Sequence, residues 1–209
     1  SSNKSLWDRI KSFFGSSDYD DDDVNVDHDP NSTSDAFNSD NTSSSGRKEV
    51  TNCPNDVDAV ITNDGKNYLF SGSEIYEFDD KGINKEYSLK SLFPRGPPFV
   101  QGAMSNPRTH RTLLFHGKMV YVYSREMNSN KFVLESDYPK KLPANLNFQP
   151  MGAFLWSEGS QIITNGNNFA TYDENWNRIT LQNKIENYFD NFPRKPIRGK
   201  ICFNTSCSI

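Results

Sequence analysis

The sequence predicts an all-β fold, a β-propeller over residues 51–209, and two repeated features predict it. A small-then-apolar triplet, Asp58-Ala59-Val60, returns as Gly102-Ala103-Met104 and again as Gly152-Ala153-Phe154. Behind each triplet comes an apolar run ending at glycine, and behind the glycine a second strand rich in aromatic residues. Units that recur along a chain at intervals of this size are the signature of an array of small sheets, each too thin to bury its own faces.

Within each unit the pairing can be followed residue by residue. The apolar runs are Tyr68-Leu69-Phe70-Ser71-Gly72, Leu113-Leu114-Phe115-His116-Gly117 and Ile162-Ile163-Thr164-Asn165-Gly166. Their partners are Ile75-Tyr76-Glu77-Phe78, Val120-Tyr121-Val122-Tyr123 and Phe169-Ala170-Thr171-Tyr172. The glycine links between them read as hairpin turns. Each unit closes on a proline-bearing segment: Leu92 to Pro97, Tyr138 to Pro143, and Tyr188 to Pro193. That makes three complete blades. A partial fourth is expected to begin at Ile197-Arg198-Gly199-Lys200-Ile201.

Two segments precede the repeats. In residues 1–15, Leu6, Trp7, Ile10, Phe13 and Phe14 fall on one face of a short amphipathic helix, with Asp8, Arg9 and Lys11 opposite and Gly15 as its stop. Residues 16–50 are poor in large apolar side chains, and Asp18 to Asp29 alone holds seven aspartates. Such a stretch buries too little apolar area to offset the entropy of ordering it, so a disordered acidic linker is expected. Tyr19, set among Asp18, Asp20 and Asp21, is a candidate for sulfation; the plainer reading of the tract is a solvated spacer.

Charge divides the chain in the same place. Residues 1–50 carry a net −6 and residues 51–209 a net +2. No basic stripe suited to a phosphate backbone is present, which argues against a nucleic-acid partner. No run is long and apolar enough for a membrane span. The chain opens without an apolar leader core, so a secretory leader is expected to have been removed. Four Asn-x-Ser/Thr sequons, at Asn3, Asn31, Asn41 and Asn204, point to a secreted glycoprotein, although Asn- and Ser-rich tracts also produce sequons by chance.

The residues NDVDAVITNDGKNYLFSGSEIYEF resemble the opening repeat of the hemopexin-like domain family, and YPKKLPANLNFQPMGAF resembles its junction between blades. Cys53, just before the first blade, is similar to the cysteine that often stands there in the family. The resemblance covers roughly residues 53–201. It implies a disulfide from the first blade to the last, here Cys53 to Cys207 with Cys202 as the alternative partner. It also implies an axial ion, calcium, at the acid that opens the inner strand. Only Asp58 keeps that acid, the matching positions being taken as Gly102, Gly152 and Gly199. Four blades are the family's number, so an incomplete fourth leaves an edge through which the chain could form a homodimer.

No catalytic constellation stands in the sequence: no His-Glu-x-x-His, no Gly-x-Ser-x-Gly, no Cys-x-x-Cys and no phosphate-binding loop. His28, His110 and His116 have no partner at metal-ligand spacing and read as solvated or locally hydrogen-bonded. No cofactor is expected. Arg108, His110, Arg111, Lys140, Lys141, Arg194, Lys195 and Arg198 read as loop-borne basic residues able to meet an acidic partner, or as ordinary solvated loop charges. The functional expectation is a secreted, non-catalytic module that binds an extracellular protein, protease or matrix component. A small-ligand or haem carrier and the C-terminal remnant of a metalloproteinase are the alternatives.

Overall fold

The computed structural model describes residue 54 and residues 56–126, 131–156 and 159–189. The expected helix in residues 1–15, the acidic linker, Tyr19, Cys53, Cys202, Cys207, the four sequons, His28, Arg194, Lys195, Arg198 and the strand at 197–201 all lie outside the described residues.

Three antiparallel sheets follow one another along the chain. The first is β1 (Ala59–Asn63), β2 (Lys66–Ser71), β3 (Glu74–Asp79) and β4 (Gly82–Ser88). The second is β5 (Gly102–Asn106), β6 (Arg111–His116), β7 (Met119–Arg125) and β8 (Phe132–Leu134), with the two-residue β9 (Lys140–Lys141) pairing the other end of β7. The third is β10 (Gly152–Leu155), β11 (Gln161–Thr164), β12 (Asn168–Asp173) and β13 (Arg178–Lys184). Each sheet is a meander in chain order. The glycines expected in the hairpin links, Gly72, Gly117 and Gly166, all take positive φ. Between β1 and β2, Asp64 and Gly65 both take positive φ, 48° and 72°, the conformation a two-residue loop needs to match the twist of its strands.

Stacking of the sheets makes the core. β5 packs against both β1 and β10. The main apolar cluster runs from Ile61, Tyr68, Phe70 and Ile75 of the first sheet, through Leu113, Phe115, Val122 and Tyr123 of the second, to Ile163, Ala170 and Tyr172 of the third. Strand alternation leaves each outer sheet a second apolar face. In the first sheet that face holds Leu69, Tyr76 and Phe78; in the third it holds Ile162 and Phe169, joined by Ile185. A short helix, α1 (Leu89–Leu92), leads out of the first sheet, capped by Ser88, whose Oγ accepts from the Ser91 N–H at 3.2 Å. The helix buries Leu89 and Leu92 and delivers Phe93 into the seam between the first two sheets.

The backbone sets the repeat one residue away from the sequence alignment. The N–H groups of Asp58, Gln101 and Met151 donate to the carbonyls of Phe70, Phe115 and Thr164 at 2.9, 2.9 and 2.8 Å. Asp58 is therefore equivalent to Gln101 and Met151, not to Gly102 and Gly152. The small residue that recurs in each repeat answers a packing demand and does not mark the register. At Gly102 that demand is severe: a Cβ there would lie 2.9 Å from the Gly152 carbonyl carbon and 3.0 Å from its Cα. Main chain cannot move aside as a flexible side chain can. Gly102→Ala is expected to cost about 2 kcal/mol through overpacking, read as a lower thermal midpoint in calorimetry.

Candidate functional site

Two joints between sheets are held by polar side chains, and they organise the end of the molecule where β1, β5, β10 and β12 finish. At the first joint, Asn63 Nδ2 donates to Ser105 Oγ at 2.8 Å and to Thr112 Oγ1 at 3.1 Å. Arg125 Nη1 donates back to Asn63 Oδ1 at 3.2 Å and pairs with Asp64 at 3.0 Å. At the second joint, Asn106, which closes β5 as Asn63 closes β1, donates to Gln161 Oε1 at 3.3 Å. The third sheet places Trp156 at that register position, packed edge-on against Phe189 with ring centroids 4.8 Å apart.

The second joint is the richer one. Arg111 bonds Glu135 at 2.8 Å, donates to Asn175 Oδ1 at 2.6 Å and lies 3.9 Å from Glu174. Glu174 is buried, 3% exposed, and its other oxygen accepts from Gln161. The Tyr138 hydroxyl donates to the Glu174 carbonyl at 2.6 Å. Burial pushes the Tyr138 and Tyr172 phenols above their ordinary range, so both stay neutral donors here. The result is a rigid turn, Glu174–Asn177, between β12 and β13. Its own residues complete it: Asp173 Oδ1 accepts from the N–H groups of Asn175 and Trp176, and Asn177, at φ 46°, donates to the Lys141 carbonyl at 3.0 Å.

Asp58 turns its carboxylate to the β2–β3 hairpin, where Oδ2 accepts from the Gly72 N–H at 2.7 Å. The equivalent Gln101 does the same for Gly117 at 2.5 Å, so a neutral amide serves as well as an acid at this position. Among the described residues, no group of three or more His, Cys, Asp or Glu is placed to hold a metal ion. Arg111 is not a loop charge: it lies in β6 and is consumed by the joint. Lys140 and Lys141 are likewise on a strand, β9, with the Lys140 ammonium 4.6 Å from the Tyr138 ring centroid. His110 occupies the β5–β6 turn at φ 54°. His116 ends β6 and is half-buried; its ring meets Phe99 edge-on at 4.5 Å, and its Nδ1 is buried without a hydrogen-bond partner.

Sequence reasoning passed over Asn63, Asn106, Glu174 and Trp176. The asparagine pair was findable, because it recurs at the same distance past the small residue of two repeats. Glu174 and Trp176 belong to one turn and carry no repeat signal.

No family model matches the chain. Among curated proteins it is similar to matrix metalloproteinase-C of Caenorhabditis elegans, 36% identical over 143 residues that make up 68% of this chain and 25% of that protein. It is also similar to matrix metalloproteinase-19 of Mus musculus, 32% identical over 72 residues, 34% of this chain and 14% of that one. The chain thus spans a quarter or less of the length of these relatives. Among solved structures it is similar to a hemopexin fold protein, CP4 from cow pea, with a TM-score of 0.53 and 13% identity over 66% of this chain and 71% of that one. A 2S albumin seed protein from Dolichos gives a TM-score of 0.54 at 14% identity over 64% and 70%. At such identities the structural likeness speaks for the fold alone.

Proposed function

The described residues form a hemopexin-like domain, and from that premise we propose that the chain is a secreted, non-catalytic module that binds an extracellular protein, protease or matrix component. The observation that carries the reading is the match to matrix metalloproteinase-C: 143 residues at 36% identity take in 68% of this chain and only a quarter of that protein. The described residues are a stack of small sheets, which offers a large surface for a partner.

In this reading the strand expected at 197–201 opens a fourth blade, and a bond between Cys53 and Cys207, or Cys202, closes the ring. Closing so long a loop would restrict the unfolded chain by ~4–5 kcal/mol in the simple entropy account. Should the fourth blade stay incomplete, its uncovered sheet edge would favour a homodimer. The same match supports a second reading, that these residues are the C-terminal part of a longer metalloproteinase, the shared stretch being a minor share of the relative.

The test is surface plasmon resonance. The full chain is immobilised and exposed to a panel of extracellular matrix proteins and metalloproteinase catalytic domains, while the free chain is assayed for peptide hydrolysis. Saturable binding to a panel member with no hydrolysis is the expected result. Hydrolysis by the chain itself, or binding to no member of the panel, overturns the reading.

A further inference from the structure

The turn between β12 and β13 is unusual for what it holds still and what it leaves bare. Asp173 caps it, and the Glu174 carbonyl is fixed by Tyr138. Asn175 is held by Arg111, and Asn177 by Tyr172 and Lys141. These anchors come from both the second and third sheets. Trp176, at the centre, is 74% exposed, the most exposed of the large apolar side chains among the described residues. Phe99, Trp156 and Tyr188 are also exposed, yet each rests on another ring; Trp176 makes no ring contact among the described residues. A frame this constrained has paid its ordering entropy before any partner arrives, and an indole is the side chain most enriched at the centre of binding interfaces.

The surroundings indicate what would cover it. Lys141, whose carbonyl anchors Asn177, is exposed, and Arg178, two residues past Trp176, is 61% exposed while pairing with Asp173 at 3.5 Å. Lys140 stands on the neighbouring Tyr138 ring. An apolar centre bordered by cations fits an acidic segment carrying apolar side chains.

Resting on the protein-binding reading above, we propose that the β12–β13 turn is the docking tip of the domain: Trp176 is covered by apolar side chains of an acidic protein segment, and Lys141 and Arg178 meet its carboxylates. Because the indole touches little of its own protein, removing it should leave the fold intact, which separates a binding role from a structural one.

The experiment selects random peptides displayed on phage against the immobilised full chain. The enriched peptides are then synthesised and titrated into wild type, Trp176→Ala, Trp176→Phe and Lys141→Glu, with thermal unfolding of each variant recorded alongside. The expected result is that Asp/Glu-rich peptides with Leu, Ile or Phe are enriched. Their binding weakens about tenfold or more in Trp176→Ala, less in Trp176→Phe and several-fold in Lys141→Glu, with unfolding midpoints unchanged. Enriched peptides that bind Trp176→Ala as tightly as wild type overturn the docking tip while leaving the module reading in place, and enrichment of basic peptides overturns the acidic partner. Enrichment of no peptide by any surface of the chain counts against the module reading and this inference together. A lowered midpoint in Trp176→Ala would show the indole to be structural and overturn the proposal.

Discussion

Replacing Phe93 by Ala is expected to cost the domain about 4 kcal/mol, the largest loss from a single truncation in this fold. Phe93 is fully buried, 0% exposed. Its ring meets Phe132 at 4.3 Å, Tyr123 at 5.0 Å and Phe70 at 5.8 Å, so it touches the first and second sheets at once. The site is poorly placed to collapse around a cavity. β2 walls it on one side and β7 and β8 on the other, and its own carbonyl accepts from the Gly96 N–H at 3.1 Å, which pins the linker. Calorimetry on the full chain should show the midpoint falling by roughly 10 °C. A loss below about 1 kcal/mol would mean that the two sheets hold together without this ring.

The second large effect is expected at Arg111→Ala. The guanidinium serves Glu135, Glu174 and Asn175, and its loss strands the Glu174 carboxylate, which is 3% exposed and has one oxygen without any other partner. Removing one partner of a buried pair leaves a charge without compensation, ordinarily 3–5 kcal/mol; because Arg111 is 28% exposed and screened by solvent, about 2–3 kcal/mol is expected. The diagnostic is rescue. Adding Glu174→Gln to Arg111→Ala should recover part of the loss in chemical denaturation, since the stranded charge is then gone. If the double variant is no more stable than Arg111→Ala alone, the cost lies in lost packing rather than in the unpaired carboxylate.

These two residues illustrate different degrees of legibility. Phe93 belongs to Leu92-Phe93-Pro94, which the repeat pattern marks as the close of a unit, though nothing local says that its ring bridges two sheets. Arg111 was readable only as one more basic residue beside a turn, because Glu135 and Glu174 are far from it in the chain and ion pairs of that separation leave no local signature. Lys140 and Lys141 read as loop residues for a related reason. A two-residue strand has no alternation to detect, and β9 exists because β7 is long enough to pair with β8 at one end and β9 at the other.

What the sequence by itself determined is the repeating unit. Alternating apolar and aromatic runs broken at glycine dictate antiparallel hairpins, and hairpins too thin to bury both faces dictate stacking, so an all-β array of small sheets followed from local chemistry alone. Tertiary structure decided the register where the sheets stack, with main chain meeting main chain at Gly102 and Gly152, and it assigned the Asp58 carboxylate to a hairpin turn. It also decided which charges are spent in joints and which side chain, Trp176, is held out to solvent. The physical reason is range: hairpin formation is settled by neighbours a few residues apart, whereas joints are made between residues that meet only after the sheets have stacked.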